Sequence, residues 1–90
     1  MTPEQRNILT YHRDLLKSAR YDFRRFSEDY VRAELARNAA SAESEEWAEY
    51  NHQHELLYTT IKNSANRIAV IEQACRDIEN ETINNKEDDT

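Results

Sequence analysis

Residues 44–83 dictate the architecture of this chain, and they read SEEWAEYNHQHELLYTTIKNSANRIAVIEQACRDIENETI. Apolar or small residues recur there at alternating steps of three and four, the spacing that aligns side chains on one face of an α-helix. Neither Gly nor Pro interrupts the segment. It therefore predicts one long helix with a single apolar stripe that another segment or another chain must cover. The stripe consists of Trp47, Tyr50, His54, Leu57, Ile61, Ser64, Ile68, Ile71, Cys75 and Ile78, with His54 filling its one gap.

The first half of the chain carries a second helical pattern. Thr2 is a good cap, Pro3 suits the first helical position, and Glu4 suits the first turn. Ser27 is a competent N-cap, yet the apolar face keeps its phase across it. One helix over 3–38 and two helices meeting near Ser27 therefore both fit. The apolar face consists of Ile8, Leu15, Leu16, Ala19, Phe23, Phe26, Tyr30 and Ala33.

The clearest interruption lies between these two patterns. Ser44 precedes two glutamates and a tryptophan, which is typical of a helix start, so we expect a turn at 39–43. The polar residues 84–90 predict a disordered tail, which leaves a single domain over 1–83. The predicted fold is all-α, either an antiparallel helical hairpin or an up-down three-helix bundle with a long C-terminal helix. The absence of Gly and the single Pro among 90 residues support it.

The charge is unevenly distributed. Residues 1–26 hold six basic and three acidic residues (+3), residues 27–90 hold six and fifteen (−9), and the chain sums to −6. The single cysteine, Cys75, lies on the apolar stripe, so we expect a buried small hydrophobe in a reducing, intracellular compartment. No apolar run approaches the roughly 18 residues of a membrane span. We also expect no secretion, because the N-terminus lacks an apolar signal core.

A row of four basic residues is the first candidate interaction surface. The residues are spaced four, three and four apart, so they align on the helix, roughly opposite its apolar face. The negative remainder of the chain disfavours nucleic acid, whereas an acidic protein needs only this local patch. We therefore predict a partner-binding row of Arg13, Lys17, Arg20 and Arg24.

The histidines and nearby glutamates are the one metal-like cluster. Glu49 and His52 match the Glu-x-x-His spacing of di-iron bundles, and Glu34 could face them across a hairpin. Both residues, however, lie off the apolar stripe, whereas such sites are built in a bundle core. His54 lies on the stripe, and we expect it to be a hydrogen-bonded or half-exposed core histidine. We predict that the protein binds no metal and no cofactor. Glu49, His52 and Glu34 would then be ordinary polar residues in contact with water.

No arrangement of residues suggests catalysis. Three histidines, one cysteine and no Gly-rich loop leave little for nucleophilic chemistry or phosphate binding. We therefore predict that the protein is not an enzyme and has no catalytic residue. Its function would then be carried by surfaces that bind another protein.

Residues 5–17, QRNILTYHRDLLK, resemble the first helix of the LYR-motif proteins, which are small assembly factors of the mitochondrial matrix. The Leu-Tyr-Arg triplet reads Tyr11-His12-Arg13 here, so only its Arg is kept, while Leu15, Leu16 and Lys17 match. Residues 30–38 are similar to the family's second-helix segment, with Leu35 in place of a Phe. The resemblance covers about 35 residues and excludes the second half of the chain.

This resemblance implies a three-helix fold that binds acyl carrier protein. The acyl chain of the carrier enters the helix core, and basic residues of the LYR helix meet its acidic surface. Arg13 and Lys17 carry over directly, whereas Arg20 and Arg24 extend the row by spacing. The implied location is the mitochondrial matrix, and without the resemblance it is the cytoplasm.

The sequence thus predicts a non-enzymatic helical adaptor, LYR-like, that docks an acidic partner. The alternative is a small acidic regulator or inhibitor, of phage or bacterial type, that occupies a basic site on its target. A third reading is a structural subunit of a larger helical assembly. A homodimer is also compatible with so small a core. The acidic surface of the alternative consists of Glu43, Glu45, Glu46, Glu49 and Glu55.

Overall fold

A computed structural model of the chain describes the backbone of residues 1–88 and the side chains of residues 1–81. This part contains two α-helices, α1 (Pro3–Ala39) and α2 (Glu45–Asp88), and no strand. The all-α prediction is confirmed, and the arrangement is the antiparallel helical hairpin. α2 continues past the predicted end at Ile83. The disordered tail predicted for 84–90 lies outside the described side chains, and residues 89–90 lie outside the described backbone.

The start of α1 is fixed by a reciprocal pair of hydrogen bonds. The amide of Gln5 donates to Thr2 Oγ1 at 3.1 Å, and the amide of Thr2 donates to Gln5 Oε1 at 3.0 Å. Such a capping box satisfies two backbone donors that a helix N-terminus otherwise leaves free. The predicted cap at Thr2 is therefore confirmed, and Gln5 completes it.

Ser27 does not interrupt α1. Its hydroxyl donates to the carbonyl of Phe23, one turn earlier, at 2.8 Å. A serine bonded back in this way lies within a helix and does not cap a new one. The three-helix alternative with a bend at Ser27 is therefore wrong, as is the three-helix architecture that the family resemblance implied. One helix over 3–38 was the better prediction.

The turn between the helices lies where the sequence placed it. Ser44 N-caps α2, because its Oγ accepts the amide of Trp47 at 3.1 Å. The amide of Ser44 in turn donates to the carbonyl of Ser41 at 3.1 Å. Glu43 has a φ of 63°, the left-handed conformation that lets the chain reverse within a few residues.

The chain divides into two units, each built from both helices. The first unit takes in residues 1–20 and the chain from residue 66 onward, and the second takes in residues 21–65. In the first unit, α1 and α2 bury a small core between them. Its buried residues are Leu9, Ala19, Ile71 and Cys75, with Leu15, Leu16, Ile68 and Ile78 partly buried against them. The predicted burial of Cys75 is confirmed.

The second unit packs aromatic and small side chains between its two helical segments. Ala33 and Ser64 are buried. Tyr30 lies against His54, with ring centroids 4.0 Å apart, and 6.4 Å from the ring of Tyr58. The division into two units leaves the single domain over 1–83 a prediction.

The apolar stripe of α2 is confirmed, since each of its ten members is buried or half-buried. The face of α1 needs one correction. Leu9 is the buried residue, with 3% of its surface exposed, whereas the predicted Ile8 is 44% exposed. Leu9 lies seven residues before Leu16, so it continues the three-and-four spacing, and Ile8 lies about 100° away around the helix.

Candidate protein-interaction surfaces

The four residues of the predicted basic row are all exposed on α1. Arg13, Lys17 and Arg20 belong to the first unit, and Arg24 belongs to the second. Each side chain projects from an unbroken helix, so the backbone fixes its spacing. Within the first unit, the helix therefore places Arg13, Lys17 and Arg20 along one line.

In the first unit, two arginines of the row contact α2. Arg13 Nη2 lies 3.1 Å from Glu79 Oε1, and Arg20 Nη2 lies 3.2 Å from Glu72 Oε1. This corrects the expected position of the row, because a row opposite the packed face could not reach the other helix. Both ion pairs remain open to water, with 60% of each arginine side chain exposed.

The other two members of the row differ from these arginines. Arg24 pairs within its own helix, with Nε 3.4 Å from Oε1 of Glu28 one turn later. Lys17 makes no ion pair with any described residue. Lys17 lies between Arg13 and Arg20 in the sequence, so an unpaired charge lies between two paired ones.

The predicted acidic surface lies in the second unit, at the turn and the first turns of α2. All five glutamates are exposed, and none forms an ion pair within the described part of the chain. Glu55 Oε1 accepts a hydrogen bond from the side-chain amide nitrogen of Asn51, Nδ2, at 3.4 Å. Between Asn38 and Ile61 the sequence contains no Lys or Arg that could neutralise these charges.

A polar cluster around Arg37 went unrecognised in the sequence. Arg37 Nη1 donates to Asn51 Oδ1 at 3.2 Å and lies 3.5 Å from Nδ1 of His54. The other ring nitrogen of His54, Nε2, is buried and has no hydrogen-bond partner. The prediction of a hydrogen-bonded or half-exposed core histidine is confirmed, since His54 is half-buried and its Nδ1 contacts Arg37. The signal for Arg37 was its place on the α1 face, seven residues after Tyr30.

The second unit also contains an open groove of about 390 Å³ between α1 and α2. Ala33 and Ala36 form its α1 wall, while Tyr50 and Leu57 line the α2 side. Asp29, Arg32 and Gln53 complete its lining.

The predicted metal-like residues do not come together. No group of three or more His, Cys, Asp or Glu side chains within residues 1–81 could hold a metal ion. Glu49 and His52 are exposed, as expected from their place off the stripe, and Glu34 is half-buried on α1. His54 contacts the Arg37 cation, which would repel a metal ion.

Comparisons with known proteins add no assignment. No family model matches this chain, and neither the curated proteins nor the solved structures include a significant match. Within the described residues, neither helix has the length and apolar character required to cross a membrane.

Proposed function

We propose that this chain is a non-enzymatic adaptor whose basic row docks an acidic protein such as acyl carrier protein. One observation carries the proposal. Arg13 and Arg20, seven residues apart on α1, meet Glu79 and Glu72, seven residues apart on α2. The row is thus complementary to carboxylates presented two turns apart on a helix. The family resemblance, which supplied Arg13 and Lys17, supports the same surface.

An acidic partner must compete with the carboxylates of α2. Exposed ion pairs of this kind contribute about 0–1 kcal/mol each, because water screens them. A partner carboxylate can therefore replace Glu72 or Glu79 at little cost. Lys17 needs no such exchange, so it is the first point of attachment. Such docking depends on charge and weakens as salt rises.

The test measures binding of phosphopantetheinylated acyl carrier protein by the purified chain at two salt concentrations. We expect Lys17→Glu to weaken binding at least about tenfold, because it places a carboxylate against the acidic partner. The double change Glu72→Gln and Glu79→Gln should tighten binding several-fold by freeing both arginines. Salt should reduce wild-type affinity.

The matched control is Arg67→Glu, which makes the same change of charge at an exposed residue of the first unit outside the row. We expect it to leave binding nearly unchanged. If Arg67→Glu weakened carrier binding as much as Lys17→Glu does, the effect would come from the net charge of the protein and not from the basic row. No binding of the carrier by the wild-type chain would refute the carrier as partner, and with it the proposed location in the mitochondrial matrix.

A second candidate function uses the opposite surface charge. Glu43, Glu45, Glu46, Glu49 and Glu55 make no ion pair among the described residues, so a basic target meets no internal competitor there. The protein would then be a regulator or inhibitor that occupies a basic, nucleic-acid-binding site on that target. This candidate rests on charge complementarity alone.

Affinity purification from the native host separates the candidates. A partner lost with Lys17→Glu but kept when Glu45, Glu46 and Glu49 are changed to Gln supports the adaptor. The reverse pattern supports the acidic regulator. A complex that survives both changes and high salt would identify the third reading, a structural subunit of a helical assembly.

A further inference from the structure

Four charged residues of α1 alternate in sign along one face of the helix. They are Asp22, Arg25, Asp29 and Arg32, spaced three, four and three residues apart. This spacing is that of a coiled-coil seam, so the four residues point to the same side. It is a different side from the basic row, because Arg25 lies about 100° around the helix from Arg24.

The order of charges along this face is complementary to the same order read in the opposite direction. If a second α1 runs antiparallel to the first and crosses it level with Ser27, Asp22 lies opposite Arg32 of the second copy. Arg25 lies opposite Asp29 in the same way, and twofold symmetry repeats both pairs. Every acidic residue of the face thus lies opposite a basic one. A twofold-symmetric interface uses the same patch on both copies, so it needs a patch that complements itself in this way.

The groove of the second unit lies beside this charged seam. Asp29 and Arg32 belong to both, since they also line the groove of about 390 Å³. Ala33 and Ala36 form its α1 wall and have short side chains, so a second helix can approach closely. A helix placed there would cover the half-buried rings and methyl groups of Tyr50 and Leu57.

The described part of the chain also leaves apolar surface uncovered. No large side chain in it is fully buried, and nine large hydrophobic residues are exposed. Chains of this size often complete their core by oligomerising. A second copy is the occupant that the charge order specifies, because that order matches itself.

We propose that the protein forms an antiparallel dimer through the α1 face of Asp22, Arg25, Asp29 and Arg32, covering the adjacent groove. Forming it requires little rearrangement within the chain. Arg32 Nη1 lies 3.4 Å from Asp29 Oδ1, and its side chain is 75% exposed. An exposed pair of this spacing contributes little to stability, so Arg32 can exchange its own Asp29 for Asp22 of the second copy.

The test uses two variants of opposite charge in the full chain. One carries Arg25→Asp with Arg32→Asp, which makes the face wholly acidic. The other carries Asp22→Arg with Asp29→Arg, which makes it wholly basic. Sedimentation velocity measures the mass of each variant, of wild type and of an equimolar mixture, and circular dichroism checks that each chain is helical.

We expect a wild-type dimer whose dissociation constant rises with salt. Each variant alone should bind itself at least about 100-fold more weakly, because like charges then oppose each other. The mixture should restore a dimer containing one chain of each kind. A variant that is not helical is replaced by the neutral pair Arg25→Gln with Arg32→Gln, which should weaken the dimer by a smaller factor.

Three results would overturn the proposal. One is a wild-type chain that stays monomeric at all concentrations. Another is a dimer that survives both charge reversals. The third is a mixture that fails to associate although its two components are helical. The basic row is unchanged in every variant, so carrier binding tests the adaptor function separately from this interface.

Discussion

The imidazole ring of His54 stacks on the phenol ring of Tyr30, with centroids 4.0 Å apart and ring planes 28° apart. This contact joins α1 and α2 within the second unit. Arg37 approaches Nδ1 of the same ring at 3.5 Å. Because a guanidinium can only donate, Nδ1 accepts, and in the neutral ring the proton lies on the buried, unpartnered Nε2.

We expect the aromatic stack, rather than the polarity of His54, to stabilise the second unit. His54→Ala should lower the free energy of unfolding by about 1–3 kcal/mol, because it removes the stack and leaves a void. His54→Phe should be neutral or stabilising, since it keeps a ring there and eliminates a buried, unsatisfied donor. Urea unfolding followed by circular dichroism measures both. Equal destabilisation by Phe and Ala would contradict this account.

The core of the first unit can be tested by a pair of neighbouring residues. Ile71 is 8% exposed and Val70 is 69% exposed, and both are β-branched residues of α2. Ile71→Asp should lower the free energy of unfolding by about 3 kcal/mol or more, because it buries an unpaired carboxylate. Val70→Asp controls for the poor helix propensity of Asp and should cost about 1 kcal/mol or less. Equal melting temperatures of the two variants would show that the stripe is not buried.

The N-cap of α2 predicts a local effect. Ser44→Ala removes the oxygen that accepts the Trp47 amide, so we expect a loss of about 1 kcal/mol in the free energy of unfolding. Ser41→Ala is the control, because only the backbone carbonyl of Ser41 takes part in the turn. It should change the unfolding free energy by about 0.5 kcal/mol or less. Thermal melting of both variants decides, and a larger loss for Ser41→Ala would disprove the cap.

The left-handed residue of the turn predicts a stabilising change. Glu43 has a φ of 63°, a conformation that costs a residue with a Cβ about 1 kcal/mol and costs Gly almost nothing. Glu43→Gly should therefore raise the unfolding free energy by up to about 1 kcal/mol. The gain is reduced by the conformational entropy that Gly adds to the unfolded chain. Ala42→Gly, at a position without positive φ, should be destabilising. A melting temperature that falls in both variants would contradict the prediction.

Features that depend on nearby residues could be predicted from the sequence. The starts of α1 and α2 follow from the caps Thr2 and Ser44, whose hydrogen bonds join residues three apart. The apolar stripe of α2 follows from the period of the helix, which needs no knowledge of what covers the stripe. Ser27 marks the limit of such reasoning, because one hydroxyl can either cap a helix or bond back within it. In the structure the hydroxyl bonds back to Phe23, and the half-buried Phe23 and Phe26 lie on a face that continues past Ser27.

Features that join distant residues required the tertiary structure. Arg13 and Glu79 are 66 positions apart, and Arg20 and Glu72 are 52 apart, so their pairing depends on how the two helices align. The helical period placed the basic residues in a row, but it could not show that this row borders α2. The contact of Arg37 with His54 depends in the same way on the facing helix.

The sequence by itself determined that the chain is helical, where α1 and α2 begin, and the chemistry of each face. Only the packing of α1 against α2 in the first unit decided which charges pair between the helices, because that pairing depends on the register of two segments that the chain brings together from its opposite ends.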